Sequence, residues 1–349
     1  MLTKQDVMNA LSTVMDPDLG QDLVTLGMIE DLQVEGEKVS FSVVLTTPAC
    51  PLKRKIENDC RTAVLSMTGA KEVEINMTAR VRGQQKVDLG DNCFKHVIAV
   101  SSGKGGVGKS TVSVALASAL AADGAKVGLL DADIYGPNVP RMLGIDELPP
   151  MQEGQKPDPA EINGMKVLSI GFLVSEGQPL IWRGPMLHNA IQQFLTDFNW
   201  GELDYLIIDM PPGTGDVQLS VAQTLPIGGA VIVTTPQQVA VDDASRAISM
   251  FHKLDVPVLG IVENMAFLPM PDGEKLYLFG EAGGENLARR AGVLLLGRIP
   301  IDPGLGKGGD IGSPIFSEDK AEATRDALRD MARKTAAAMS TVAHAARTG

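Results

Sequence analysis

Hydrophobic and polar positions first define a short mixed segment over residues 1–80. An apolar helical pattern ends where Asp16-Pro17 disfavours helix. Alternating apolar positions then indicate strands separated by turn residues at 35–38, and Pro51 suits the first turn of a helix. The segment therefore predicts a small α+β domain. Its predicted elements are helices at Asp6–Val14 and after Pro51, and strands at Met28–Val34, Val39–Thr47 and Lys71–Met77.

Residues 81–95 are polar and lack periodicity, which predicts a linker. From His96 onward, short apolar runs alternate with helical segments as far as an alanine-rich tail helix at Glu318–Ala346. Continuous apolar strands between helices predict an α/β domain over 96–349, with a parallel sheet covered on both faces. The predicted strands are His96–Val100, Val127–Asp131, Val167–Ile170, Tyr205–Asp209, Ala230–Thr234, Val258–Val262 and Leu294–Gly297.

Composition narrows the classes of partner and compartment. The chain has 349 residues, 44% of them hydrophobic, and a formal net charge of −12. Such acidity argues against non-specific nucleic-acid binding, and no apolar run reaches the roughly 18 residues of a membrane span. The start has no apolar core of a secretory signal, and three cysteines do not make a disulfide framework. We therefore expect a cytoplasmic protein with neither nucleic acid nor membrane as a partner.

A glycine-rich loop follows the first strand of the α/β segment and opens a helix. Its sequence, Gly103-Lys104-Gly105-Gly106-Val107-Gly108-Lys109-Ser110, fits the pattern G-x-x-x-x-G-K-[ST]. Glycines let backbone N–H groups turn toward phosphates, and the helix N-terminus adds positive charge. Lys109 is expected to reach the β- and γ-phosphates, and the Ser110 hydroxyl to ligate Mg²⁺.

The same glycines leave a second interpretation open. Gly103, Gly105 and Gly108 also satisfy the dinucleotide fingerprint G-x-G-x-x-G, and Asp131 ends the next strand where a ribose-binding acid would lie. The pair Lys109-Ser110 argues against this reading, because a dinucleotide fold does not need it.

Acidic residues end two of the predicted strands. Asp131 and Asp133 lie on the same side of their strand, so one can hold the Mg²⁺ shell while the other orients the attacking water. Asp209 ends an apolar strand and is expected in the metal shell. The stiff segment 210–216 that follows it suits a loop that senses the γ-phosphate.

With its extra lysine, Lys104, the glycine loop through Thr111 resembles the deviant Walker A loop of the MinD, ParA and nitrogenase iron-protein group. The resemblance implies a nucleotide-sandwich homodimer, a slow ATP hydrolase in which Lys104 reaches the partner subunit's nucleotide. A second cation at the γ-phosphate would act like an arginine finger.

Within that group the chain is similar to the Mrp/ApbC family of iron–sulfur cluster carriers. The likeness implies that residues 103–111 bind ATP, that Ser110, Asp131 and Asp209 hold Mg²⁺, and that Lys104, Lys109, Asp133 and Asp209 are catalytic. It also implies an adenine contact at Asn264 and a base pocket walled by Thr235-Pro236 and by Pro300 to Asp302. Apo iron–sulfur proteins or assembly factors would be the partners. The segments that carry the likeness are 131–138, 182–186 (Trp182-Arg183-Gly184-Pro185-Met186), 209–216 and 262–265.

The first domain is similar to the small SufT-like domain found in iron–sulfur assembly factors, on residues 16–19, 26–28 and 46–51. The C-x-x-C that cluster-carrying members place after the Glu-Asn-Met segment is missing here. Cys50, at a predicted helix start, is then the candidate reactive thiolate or cluster ligand. Cys60 fits the core face of its helix, and Cys93 falls in the predicted linker.

Three functions remain open at this point. They are an iron–sulfur cluster carrier, a MinD/ParA-like regulatory ATPase without a cluster, and a dinucleotide-dependent oxidoreductase.

Overall fold

The computed structural model describes residues 2–81, 83, 87–134, 136–151, 153–173 and 184–348. The chain forms two compact units. The smaller comprises 1–82 together with 336–349, and the larger comprises 83–335. Tyr135, Trp182 and Arg183, which belong to the family-like segments, lie outside the described residues. In the described part of the chain, no helix combines the length and the apolar composition needed to cross a membrane.

The small unit is an α+β fold around a mixed three-stranded sheet. Strands β3 and β4 pair antiparallel, and β4 and β5 pair in parallel through the crossover helix α2. Thr3 and Asp6 form a capping box that starts α1. The elements are α1 (Lys4–Leu11), β1 (Met15–Asp16), β2 (Gln21–Asp22), β3 (Ile29–Glu35), β4 (Lys38–Leu45), α2 (Lys53–Thr68) and β5 (Glu72–Ala79).

Except for residues 336–348 of the last helix, which belong to the small unit, the other described strands and helices lie in the large unit. Its strands are β6 (Val87–Leu89), β7 (Asn92–Ser102), β8 (Val127–Asp131), β9 (Ala160–Ile162), β10 (Met165–Ser169), β11 (Glu202–Asp209), β12 (Gly229–Thr234), β13 (Val258–Glu263), β14 (Leu268–Pro269), β15 (Lys275–Leu276) and β16 (Leu294–Arg298). Its helices are α3 (Lys109–Ala122), α4 (Val139–Leu143), α5 (Gly184–Thr196), α6 (Asp216–Thr224), α7 (Gln238–Lys253), α8 (Gly283–Ala291), α9 (Pro303–Ile311) and α10 (Glu322–Thr348).

The main sheet has the order β16-β13-β12-β7-β11-β8-β10-β9, with β6 paired to β7. All neighbours along this path are parallel except β9 and β10, and β6 is also antiparallel. Both faces are covered by apolar packing, and Phe94, Trp200, Tyr205 and Phe251 are among the largest fully buried side chains. The carboxyl ends of β7, β8 and β11 meet at one edge, where a ligand site is expected.

The structure differs from the sequence-based prediction in two segments, the linker and the tail helix. The expected linker 81–95 contains β6 and the first residues of β7, joined by a tight turn in which Gly90 has φ +75. Cys93 is therefore a strand residue, and its N–H donates to the Gly201 carbonyl at 2.9 Å. The tail helix begins at Glu322 rather than Glu318, and residues 336–349 group with the small unit rather than with the α/β domain.

Candidate functional site

The glycine-rich loop connects the central strand β7 to α3, as its sequence predicts. Gly106 and Gly108 have φ of +79 and +82, which side chains rarely adopt. Helix α3 begins at Lys109, so its unpaired N–H groups face the loop.

Packing as well as conformation requires glycine at two loop positions. A Cβ at Gly103 would lie 2.0 Å from the main-chain carbon of Asp243, in α7. A Cβ at Gly108 would lie 2.1 Å from Asn264 Nδ2. The loop is thus pressed against a helix on one side and an amide side chain on the other.

Lys109 lies at the centre of the site. It is 6% exposed, and its Nζ lies 2.9 Å from Asp209 Oδ1 and 3.3 Å from Asp133 Oδ2. Burial alone would lower the pKa of the Lys109 ammonium, but the charges of Asp209 and Asp133 outweigh it and raise that pKa. The Lys109 side chain is therefore positively charged and can pair with a phosphate group.

Asp209, at the tip of β11, is fully buried and accepts two hydroxyl hydrogen bonds from α3. Ser110 Oγ donates to Oδ2 at 2.6 Å, and Ser113 Oγ donates to Oδ1 at 2.6 Å. Ser113 was not predicted, although its position four residues after Lys109 places it on the same helix face. A hydroxyl beside a carboxylate is an all-oxygen donor set, so Ser110 and Asp209 fit Mg²⁺, which takes few protein ligands beside substrate phosphates.

The hydrogen-bond partners of Asp131 differ from those of Asp133 and Asp209. Its Oδ1 accepts the Asp133 N–H at 3.1 Å, and its Oδ2 accepts the Ser169 hydroxyl at 2.9 Å and the Val139 N–H at 3.3 Å. Burial, followed by the charge of Asp209, raises the pKa of Asp131 to about 7. Through these contacts Asp131 holds the loop that carries Asp133, and its role as an Mg²⁺ ligand stays a prediction.

A cavity of about 350 Å³ opens beside these residues. Lys104, Lys109, Ser110 and Asp133 line it, and Asp209 lies behind Lys109 and Ser110. A further wall, which the sequence did not indicate, comes from α4 and α9. The lining residues that the sequence did not indicate include Arg141, Met142, Leu305, Gly309 and Asp310, whereas Pro212 belongs to the predicted segment 210–216.

Two of the residues expected around the adenine base, Asn264 and Asp302, make hydrogen bonds within the protein. Asn264 Nδ2 donates to the Val107 carbonyl at 2.9 Å, so this side chain braces the phosphate loop. Asp302 caps α9 by accepting the Gly304 N–H at 2.7 Å. Neither residue, nor Pro300, is among the residues lining the cavity. Their contact with a base stays a prediction.

Lys104 lines the cavity of its own subunit, and its side chain is partly exposed; its contact with a partner's nucleotide stays a prediction. Its backbone carbonyl accepts the Ser102 hydroxyl at 2.9 Å, which fixes the start of the loop. Within the part of the chain that the structure describes, the Lys104 ammonium makes no ion pair.

The cysteines differ from the sequence-based expectation. Cys50 is half-buried, and burial, assisted by the charges of Asp16 and Asp18, raises the pKa of its thiol to about 11. The expectation of a lowered thiol pKa is therefore wrong, because burial outweighs the N–H groups of Leu52 and Lys53, which lower that pKa. Cys60 lies in the core, as predicted, and burial raises the pKa of its thiol to about 12. Across the described ranges, no group of three or more His, Cys, Asp or Glu side chains is arranged to hold a metal ion.

A parallel sheet whose central strand feeds this loop, with a buried lysine between two aspartates, defines a P-loop nucleoside triphosphatase. Comparison with known proteins makes the class more specific. Residues 93–336 match the profile described as NUBPL iron-transfer P-loop NTPase, and residues 4–77 match that of an iron-sulfur cluster assembly protein. The chain belongs to the NUBPL iron-transfer P-loop NTPase family.

Individual relatives agree with this assignment. The iron-sulfur cluster carrier protein of Synechocystis sp. is 49% identical, over 98% of this chain and 99% of the relative. That of Deinococcus radiodurans is 52% identical, over 96% of this chain and 95% of the relative. The solved structure of the Archaeoglobus fulgidus nucleotide-binding protein in complex with ADP is 43% identical, covers 65% of this chain and 90% of that chain, and superposes with a TM-score of 0.57. The predicted fold, family and P-loop hydrolase class are confirmed.

Proposed function

We propose that the chain is an ATP-dependent carrier of iron–sulfur clusters that acts as a cytoplasmic homodimer. The observation that carries the ATP-dependent part is the convergence of Lys109, Ser110, Asp133 and Asp209 beside one cavity. The carrier part is supported by relatives of that name that align with both units of the chain.

Each residue has a distinct task in the proposed hydrolysis. Lys109 neutralises charge on the β- and γ-phosphates, which requires its ammonium to exchange carboxylate contacts for phosphate contacts. Asp133, 9% exposed at its side chain, faces the cavity and orients the attacking water. Mg²⁺, held by Ser110 and Asp209, would supply charge stabilisation of the transferred phosphoryl group.

We further propose that Lys104 acts on the nucleotide of the partner subunit. A complementation experiment separates this from action within one subunit. Lys104→Gln and Lys109→Gln are prepared separately, mixed, and assayed for phosphate release. If Lys104 acts across the interface, a mixed dimer contains one intact site, and the mixture recovers up to about a quarter of normal turnover. If no turnover returns although mixed dimers form, Lys104 does not act in trans.

The iron–sulfur cluster is the cargo, and Cys50 is the candidate ligand. A thiol of raised pKa must lose its proton when iron binds, so cluster retention should weaken as pH falls. Iron and sulfide are measured after anaerobic reconstitution of the unaltered protein, Cys50→Ala and Cys93→Ala. Loss of both elements in Cys50→Ala alone supports the assignment, and equal retention in all three rules it out.

Delivery of the cluster is the deciding test of the whole proposal. The reconstituted protein is incubated with an apo iron–sulfur acceptor, with and without ATP and Mg²⁺, and acceptor activity is followed. The absence of any transfer would contradict the carrier function. ATP-dependent binding to liposomes or DNA would instead favour a regulatory ATPase of the MinD/ParA type.

A further inference from the structure

A buried lysine lies behind one wall of the nucleotide cavity. Lys320 is 2% exposed, and its Nζ donates to Ser313 Oγ at 2.8 Å, Ser317 Oγ at 2.7 Å and Asp319 Oδ2 at 2.9 Å. A buried ammonium group is unfavourable unless its hydrogens find acceptors, and here three residues supply acceptors, Asp319 through both carboxylate oxygens. Lys320 is thus an internal support of the segment 313–321.

Helix α9 packs directly on this support. A Cβ at Gly308 would lie 2.6 Å from Lys320 Nζ, and the Ser313 N–H donates to the Gly308 carbonyl at 2.9 Å. At the other end of the helix, the Asp302 cap also accepts the Ala321 N–H at 2.9 Å. The segment 313–321 therefore holds α9 at both ends.

The composition of α9 makes such support necessary. Glycine fills four of its nine positions, and glycine is the poorest helix former after proline. A helix this short gains little from its own hydrogen bonds, so its order depends on tertiary contacts. The same helix nevertheless forms a wall of the cavity through Leu305, Gly306, Gly309 and Asp310.

We infer that Lys320 is a positioning residue for nucleotide binding, which acts by fixing α9 against the cavity. The inference rests on the proposed ATP hydrolysis at this cavity. The loop that carries Asp133 has a further anchor that does not involve Lys320, because Asp131 accepts the N–H groups of Asp133 and Val139. Lys320 therefore governs affinity for the nucleotide rather than the rate of the chemical step.

The test is Lys320→Met, which keeps the length of the side chain and removes its hydrogen-bond donors. The KM for ATP should rise about tenfold, equivalent to about 1.4 kcal/mol, while kcat stays within about threefold. Amide hydrogen exchange should accelerate in 303–312 and not in α3. The control is Lys334→Met, because Lys334 forms an exposed ion pair with Asp330 at 2.7 Å. The KM of this variant for ATP should equal that of the unaltered protein.

Three outcomes overturn the inference: an unchanged KM despite faster exchange in α9, a fall in kcat at constant KM, or faster exchange throughout the large unit. If Lys320→Met does not fold, Ser317→Ala removes one acceptor, and its KM should rise about threefold at constant kcat. Absence of ATP turnover in the unaltered protein would contradict the proposed function. Normal turnover in the unaltered protein, with the same KM in Lys320→Met, would contradict only the role of Lys320.

Discussion

Gly108→Ala is expected to damage the phosphate loop through one identifiable collision. The new Cβ would meet Asn264 Nδ2 at 2.1 Å, at a residue whose φ is +82. The left-handed conformation costs alanine about 1–2 kcal/mol, and overpacking adds about 1–3 kcal/mol. We therefore expect the free energy of unfolding to fall by about 2–5 kcal/mol.

A double-mutant cycle separates the two contributions. Asn264→Ala removes the obstructing amide, so in that background Gly108→Ala should cost only the conformational strain, and the coupling free energy should be about 1–3 kcal/mol. Urea unfolding followed by tryptophan fluorescence, to which the buried Trp200 contributes, measures all four proteins. Gly103→Ala paired with Asp243→Ala is the matched control, because there the collision is with main-chain atoms and truncating the side chain relieves nothing.

Additive effects at Gly108 and Asn264, within about 0.5 kcal/mol, would refute the reasoning. They would mean that the loop moves away from the amide instead of pressing on it. Equal coupling at both glycines would refute it as well, since only one of the two collisions involves a removable side chain.

Three further predictions concern titration and catalysis. Asp131 has a folded-state pKa of about 7 against an ordinary 3.8, so the folded protein keeps a proton that the unfolded chain has lost. As pH rises from about 4 to 7, the free energy of unfolding of the unaltered protein should therefore fall relative to that of Asp131→Asn, by at most about 1.4 kcal/mol per pH unit. Urea titrations of the two proteins that give a pH-independent difference would disprove this. In a Cys93→Ser background, alkylation of Cys50 by iodoacetamide should still rise at pH 9 and above, and a plateau near pH 8 would contradict the raised thiol pKa. Lys109→Ala should abolish ATP binding in calorimetry, whereas Asp133→Ala should bind normally and lose on the order of a hundredfold in kcat; normal turnover in both would remove the site assignment.

The fold was predictable where burial determines which positions of the sequence are hydrophobic. The strand Val127–Asp131 has the predicted bounds because all five residues are buried between neighbouring strands. Helix α9 was not predicted, because its glycines have low helix propensity and its order depends on contacts distant in sequence. The edge strand Val87–Leu89 is three residues long and exists only by pairing with β7. The helix depends on residues distant in sequence, whereas the short strand pairs with its sequence neighbour across the turn at Gly90.

The candidate site was predictable to the extent that a contiguous motif defines it. The loop and the strand-end acids come together because parallel strands in register bring Asp209 opposite both Asp131 and Val100. The partners of Asp131 and Asn264 could not be predicted, since each depends on a residue distant in sequence: Ser169 for Asp131, and Val107 for Asn264. The pKa of Cys50 likewise depends on how the domain buries it.

The two serine bonds to Asp209 have a mechanical consequence. Because Ser110 and Ser113 belong to the first turns of α3, they join the tip of β11 to the helix that follows the phosphate loop. These parts should move as one rigid body when the nucleotide changes. Rearrangement that reports hydrolysis to the rest of the molecule should then begin elsewhere, at the loop carrying Asp133 or at Gly213, whose φ of +95 gives the chain a pivot just beyond the strand.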